Sequence, residues 1–89
     1  MDRYTFTQHA LFEMEHRGLG REIVEKVIKN PEQQWNVGEG RVVLQSRVSI
    51  GVHKKTYLIR VFVDVNRDPP EVVTAYKTSK IEKYWREKP

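Results

Sequence analysis

His9, Glu13 and His16 stand at positions i, i+4 and i+7 of one segment, a spacing that gathers two imidazoles and a carboxylate in one stripe of a helix. The stripe could hold a metal, but it offers no fourth ligand and lacks the His-Glu-x-x-His order of metalloproteases. Glu13 could instead pair with both histidines on a wet surface. A third use is proton transfer by His9 alone, because imidazole titrates near neutrality. A second set of reactive groups lies near the end of the chain, where Tyr76, Lys77 and Thr78 close a β-branched run ahead of Ser79-Lys80-Ile81-Glu82-Lys83-Tyr84-Trp85. Ammonium groups beside rings and hydroxyls suit a phosphate chain and a stacked base. Thr78 and Ser79 are placed to cap a short terminal helix, whose N-terminus beside Lys77 and Lys80 would seat an anion. The plainer alternative is a capped amphipathic helix with Lys77 free in solvent.

Charge divides along the chain. Residues 1–33 hold five Lys/Arg and six Asp/Glu, whereas residues 34–89 hold eleven and six. Arg41, Arg47, Lys54, Lys55 and Arg60 follow one another with no acid between them. The second part should carry a positive field that favours a polyanion or an acidic protein. With 38% hydrophobic residues and 10% aromatics over 89 residues, a folded single domain (1–89) is expected. The absence of cysteine removes disulfides and thiolate chemistry and suits the cytoplasm. No run is long and apolar enough for a membrane span, and no signal-peptide pattern opens the chain.

The elements that must position these groups read as helix, helix, then strands. Thr7 caps a helix over Gln8–Arg17 that stops at Gly18, and Ile23, Val24, Val27 and Ile28 stripe a second over Arg21–Lys29, ended by Asn30-Pro31. The period then falls to two. Gln34–Val37, Arg41–Ile50, Lys55–Val65 and Glu71–Lys77 are expected strands, turned at Gly38-Glu39-Gly40 and Asn66-Arg67-Asp68-Pro69-Pro70. The expected fold class is α+β: an N-terminal helical hairpin on one face of a three- to four-stranded antiparallel meander, with a short C-terminal helix. Val42, Leu44, Tyr57, Ile59, Val61 and Val63 then face the helices. Arg47 and Arg60 point to the other side, where Tyr76 or Lys77 could join them in a shallow cationic groove, depending on register. A solvated sheet face guarded by arginines is the alternative.

Several chemistries have no sequence support. Val37-Gly38-Glu39-Gly40-Arg41 is too short for a phosphate loop and lacks its Lys-Ser/Thr end. No Gly-x-Ser-x-Gly elbow, calcium loop or paired carboxylates occur in the basic part.

His9-Ala10-Leu11-Phe12-Glu13-Met14-Glu15-His16-Arg17-Gly18-Leu19, followed by Ile23, Val27-Ile28 and Asn30-Pro31-Glu32, with the ending Val73-Thr74-Ala75-Tyr76-Lys77-Thr78-Ser79-Lys80-Ile81-Glu82-Lys83-Tyr84, resembles the family catalogued as domain of unknown function 4258 over nearly the whole chain. That family comprises small prokaryotic proteins, and its fold is similar to the RelE and barnase-like group of metal-independent ribonucleases and toxins, an analogy of fold rather than of function. The motif positions it carries over are His9, Arg17, Tyr76, Lys77 and Thr78, while Arg47 and Arg60 rest on strand alternation. The resemblance implies a metal-independent endoribonuclease of the toxin type. His9 would act as base or acid, Arg17, Arg60 and Lys77 as charge stabilisers, and Tyr76 as stacker or proton donor. Arg47, Lys77, Thr78 and Lys80 would hold RNA phosphates. No metal or cofactor is expected. The expected partners are RNA and an antitoxin protein, for a cytoplasmic monomer or weak dimer. The alternatives are a non-catalytic module binding RNA, DNA or an acidic protein, and a structural subunit recruited through a sheet edge.

Overall fold

The computed structural model describes residues 1–87. Helix α1 (Gln8–His16) begins where the Thr7 hydroxyl accepts from the Ala10 amide at 3.0 Å. It ends at Arg17, after which Gly18 takes a φ of +63° and the Leu19 amide donates back to the Met14 carbonyl at 2.8 Å. Glycine enters that left-handed conformation at no steric cost. Helix α2 (Arg21–Lys29) buries Val24, Val27 and Ile28, with Glu22 in its first turn and Lys26 and Lys29 in its last, as the helix dipole favours.

Strands β1 (Thr5–Phe6), β2 (Gln33–Gly38), β3 (Arg41–Ile50), β4 (Lys55–Asp64) and β5 (Glu71–Thr78) form one sheet in the order β1-β5-β4-β3-β2. The last four run as the expected antiparallel meander. The sheet has five strands rather than three or four, and it is mixed, because β1 pairs parallel to β5 through Thr5–Glu71 and Phe6–Val72. Two residues carry no period, so β1 left no signal in the sequence. The helices also depart from a tight hairpin: α1 packs along β5, while α2 lies over β3 and β4. Ala10, Met14, Leu19, Val24, Val27 and Ile28 meet Leu44, Ile59, Val61, Val63, Val72 and Ala75 in one core.

A bulge fixes which residues of β5 face which way. Phe62 pairs with Thr74 but Val63 pairs with Val72, so Val73 is the extra residue. Val72 and Ala75 therefore both join the helix-side core, and Thr74 and Tyr76 emerge beside Phe62 and Arg60 on the other face. That second face is not open. Helix α3 (Ile81–Tyr84) and the following Trp85-Arg86 fold back over it, where the Tyr84 carbonyl accepts from Gln45 at 3.2 Å and the Arg86 amide donates to Gln33 at 3.2 Å. No described helix is long and apolar enough to cross a membrane.

The β2–β3 turn depends on Gly40, whose φ is +70° and whose missing Cβ leaves room for the side chain of Asn66. Gly40→Ala should cost about 1–3 kcal/mol in urea unfolding, since a left-handed alanine is strained and must also displace Asn66. Gly38→Ala, with open space at its Cβ, should change stability by less than about 1 kcal/mol.

Candidate nucleic-acid interface

Four strands contribute one continuous polar row. Gln33, Gln45, Arg60 and Tyr76 sit opposite one another across β2, β3, β4 and β5, and each side chain bonds to the next. Gln45 donates to the Gln33 carbonyl oxygen at 2.8 Å, Arg60 Nε donates to Gln45 Oε1 at 2.9 Å, and Arg60 Nη1 donates to the Tyr76 hydroxyl at 2.9 Å. Arg60 is only 8% exposed. Its guanidinium lies 4.4 Å from the ring centre of Tyr84, 5.3 Å from Phe62, 5.9 Å from Tyr76 and 6.0 Å from Trp35. None of the described ion pairs includes it. A buried cation held by neutral oxygens and ring faces keeps a charge that no carboxylate among the described residues offsets.

Helix α1 supplies the rim. Beyond Val72 no strand among the described residues flanks the outer side of β5, and α1 packs against β5. Glu13 takes a bond from the Thr74 hydroxyl at 2.5 Å, one from Arg17 Nη2 at 3.3 Å, and lies 3.4 Å from His9 Nε2. The Thr74 hydroxyl holds the Glu13 carboxyl below the usual glutamate range, and the charges of Arg17 and His9 add to that pull against a smaller effect of burial. Arg17 also reaches the Ala75 carbonyl at 3.5 Å and lies 5.8 Å from the Tyr76 ring. Phe62 stacks on that same ring at 6.3 Å and 13°. Tyr76 thus joins the two clusters, with the guanidinium of Arg17 at 5.8 Å and that of Arg60 at 5.9 Å from its ring centre.

Arg17, Arg60 and Tyr76 are therefore brought together, and His9 is tied to them only through Glu13, with its side chain largely exposed. Lys77 is not among them. It pairs with Ile59 on the helix side of the sheet, where its ammonium lies 5.1 Å from the Tyr57 ring. Arg47 points to the expected face but is engaged by Glu32 at 3.2 and 3.0 Å and stacked 4.1 Å from the Trp85 ring. The Thr78 hydroxyl accepts from the Lys80 amide at 3.1 Å, two residues too early to cap α3, whose N-cap is Lys80 with no side-chain bond. The expected anion seat over Lys77–Lys80 is thus replaced by a local turn ahead of a single helical turn. His16 stacks on Phe12 at 5.4 Å instead of joining His9. Among the described residues no three His, Cys, Asp or Glu side chains gather to hold a metal ion. Glu13, Thr74, Gln45, Phe62 and Tyr84 enter the site in addition. Glu13 was visible through its spacing with His9 and His16, whereas Thr74 depends on the Val73 bulge.

The low folded pKa of Glu13 sets a direction for pH. The stabilisation it carries is present above the ordinary glutamate value of about 4.3 and is lost as pH falls through the lower folded value. A side-chain NMR titration should place Glu13 below ordinary glutamates, and Thr74→Val should move it upward. An unmoved midpoint would show that the hydroxyl bond contributes nothing.

No curated protein and no solved structure matches the chain at a significant level. A family model does match, over residues 6–77, a span that takes in α1, the polar row and Tyr76 and stops short of α3. The chain belongs to the family described as domain of unknown function (DUF4258).

Proposed function

We propose that the chain is a metal-independent endoribonuclease of the toxin type, cutting RNA by attack of a 2′-hydroxyl on the adjacent phosphorus. The observation that carries the reading is the meeting of two arginines at Tyr76, one of them buried with no carboxylate partner among the described residues and the other bonded to the Glu13 that also holds His9. Transesterification needs a base for the 2′-hydroxyl, an acid for the 5′-oxygen and cations for the phosphorane. His9 takes the 2′-hydroxyl proton. Glu13, kept ionised by Thr74 and Arg17, orients His9 and balances the imidazolium that forms. Arg17 and Arg60 offset the charge on the phosphorane oxygens. The Tyr76 oxygen accepts from Arg60, which leaves its own proton for the departing 5′-oxygen. The products are a 2′,3′-cyclic phosphate and a 5′-hydroxyl. Such an enzyme would act on cytoplasmic RNA and would need an antitoxin protein to hold it in check.

Incubation of the purified protein with RNA and excess chelator, with and without ribosomes, should yield fragments ending in 2′,3′-cyclic phosphate. His9→Ala should slow cleavage by about 100-fold or more, the usual contribution of an acid/base group. RNA affinity should barely change. RNA that is bound but stays intact at high protein concentration would replace this reading with a non-catalytic binding module.

A further inference from the structure

The β3–β4 hairpin ends in a tip that the polar row does not use. Lys54 takes a φ of +54° and Gly51 a φ of +87°, and the Lys54 amide closes the turn on the Gly51 carbonyl at 3.1 Å. Val52 is 94% exposed, and His53, Lys54 and Lys55 are exposed beside it. At the base of the tip two ammonium groups approach one ring, Lys55 at 5.3 Å and Lys77 at 5.1 Å from the centre of Tyr57. The described ion pairs engage Arg17, Arg21, Arg41, Arg47, Arg67 and His9 but no lysine. No acid occurs between Arg41 and Arg60. The arginines of this chain are mostly spent on internal pairs, while the lysines at this end keep their charge for something outside.

We infer that this tip, with Lys54, Lys55 and Lys77, is a docking arm for the sugar–phosphate backbone of single-stranded RNA flanking the cleaved bond. The inference rests on the ribonuclease reading for its ligand. Lysine is a compact, mobile point charge that suits a flexible phosphate chain. Clustered cations with no acid among them add their fields within a Debye length of about 8 Å. One exposed valine is too little apolar surface for a protein interface, whose centre needs a desolvated apolar cluster. Lys77 adjoins Tyr76 in β5 but points to the opposite face of the sheet, so an RNA chain that reaches both must cross from one face to the other near that strand.

The test pairs the wild type with Lys54→Glu/Lys55→Glu and Lys54→Gln/Lys55→Gln, using an uncleavable 2′-O-methyl oligonucleotide for binding and a dinucleoside phosphate for cleavage. Each lost contact to a single strand should lower the slope of log affinity against log salt by about 0.7. The Glu variant should therefore lose about 1.4 in slope and at least about tenfold in low-salt affinity. The Gln variant should lose the same slope with a smaller drop in affinity, and dinucleoside cleavage should be unchanged in both. An unchanged slope, with dinucleoside cleavage intact, overturns the arm alone. A changed slope in a protein that cleaves no RNA supports the arm while the ribonuclease reading falls. Unchanged RNA binding with lost binding of polyglutamate assigns the tip to an acidic protein and overturns the inference.

Discussion

The structure is organised around the burial of one uncompensated charge. Removing a guanidinium from water costs several kcal/mol unless its donors are satisfied. Arg60 meets that condition without a carboxylate among the described residues, through Gln45, Tyr76 and the faces of surrounding rings. Hydrogen bonds to a charged group contribute about 1.5–3 kcal/mol each, and desolvated ring contacts add up to about 2. Each partner is itself held. Gln45 is fixed by Gln33 and the Tyr84 carbonyl, and Tyr76 by the stack with Phe62. Folding residues 81–86 over the face supplies the ring nearest the guanidinium, so the C-terminal segment is part of the price of keeping Arg60 dry.

That arrangement separates two kinds of arginine. Arg41 is matched with Asp64 and Arg47 with Glu32, and both carboxyls are held below their usual range chiefly by the arginine they pair with. These pairs pin strand ends and present little net charge. Arg60 presents all of its own, and Arg17 shares Glu13 with His9 and Thr74. An anion approaching Tyr76 therefore meets two guanidinium groups and one carboxylate, set in a partly dry surface where electrostatic contacts are strengthened. The same geometry keeps the imidazole of His9 against a carboxylate, a fitting seat for a group that must gain and lose a proton.

Period-two alternation placed Arg47 and Arg60 on the face away from the helices, because a strand with one buried side has little freedom of register. Capping and glycine signals located both main helices to within a residue. What the residues could not disclose was anything set by a local irregularity or a long-range return of the chain. The bulge at Val73 decides that Thr74 and Tyr76, rather than Lys77, stand beside Arg60. Simple alternation had left that choice open. Arg47 looked free because its partner Glu32 lies in the loop before β2, a contact no periodicity records. The fold-back of Tyr84, Trp85 and Arg86 over β2 and β3 likewise follows from tertiary packing alone.

The central claim is that Arg60 and Arg17 form one anion seat around Tyr76. Arginine Nε–H NMR resonances, followed while a 2′-deoxy dinucleotide or inorganic phosphate is added, test it most directly. The account predicts that Arg60 and Arg17 shift together, saturably and with one midpoint, while the carboxylate-paired Arg41 and Arg47 stay in place. Uniform small shifts at all arginines, or no movement at Arg60, would contradict it and leave the buried guanidinium a purely structural tie.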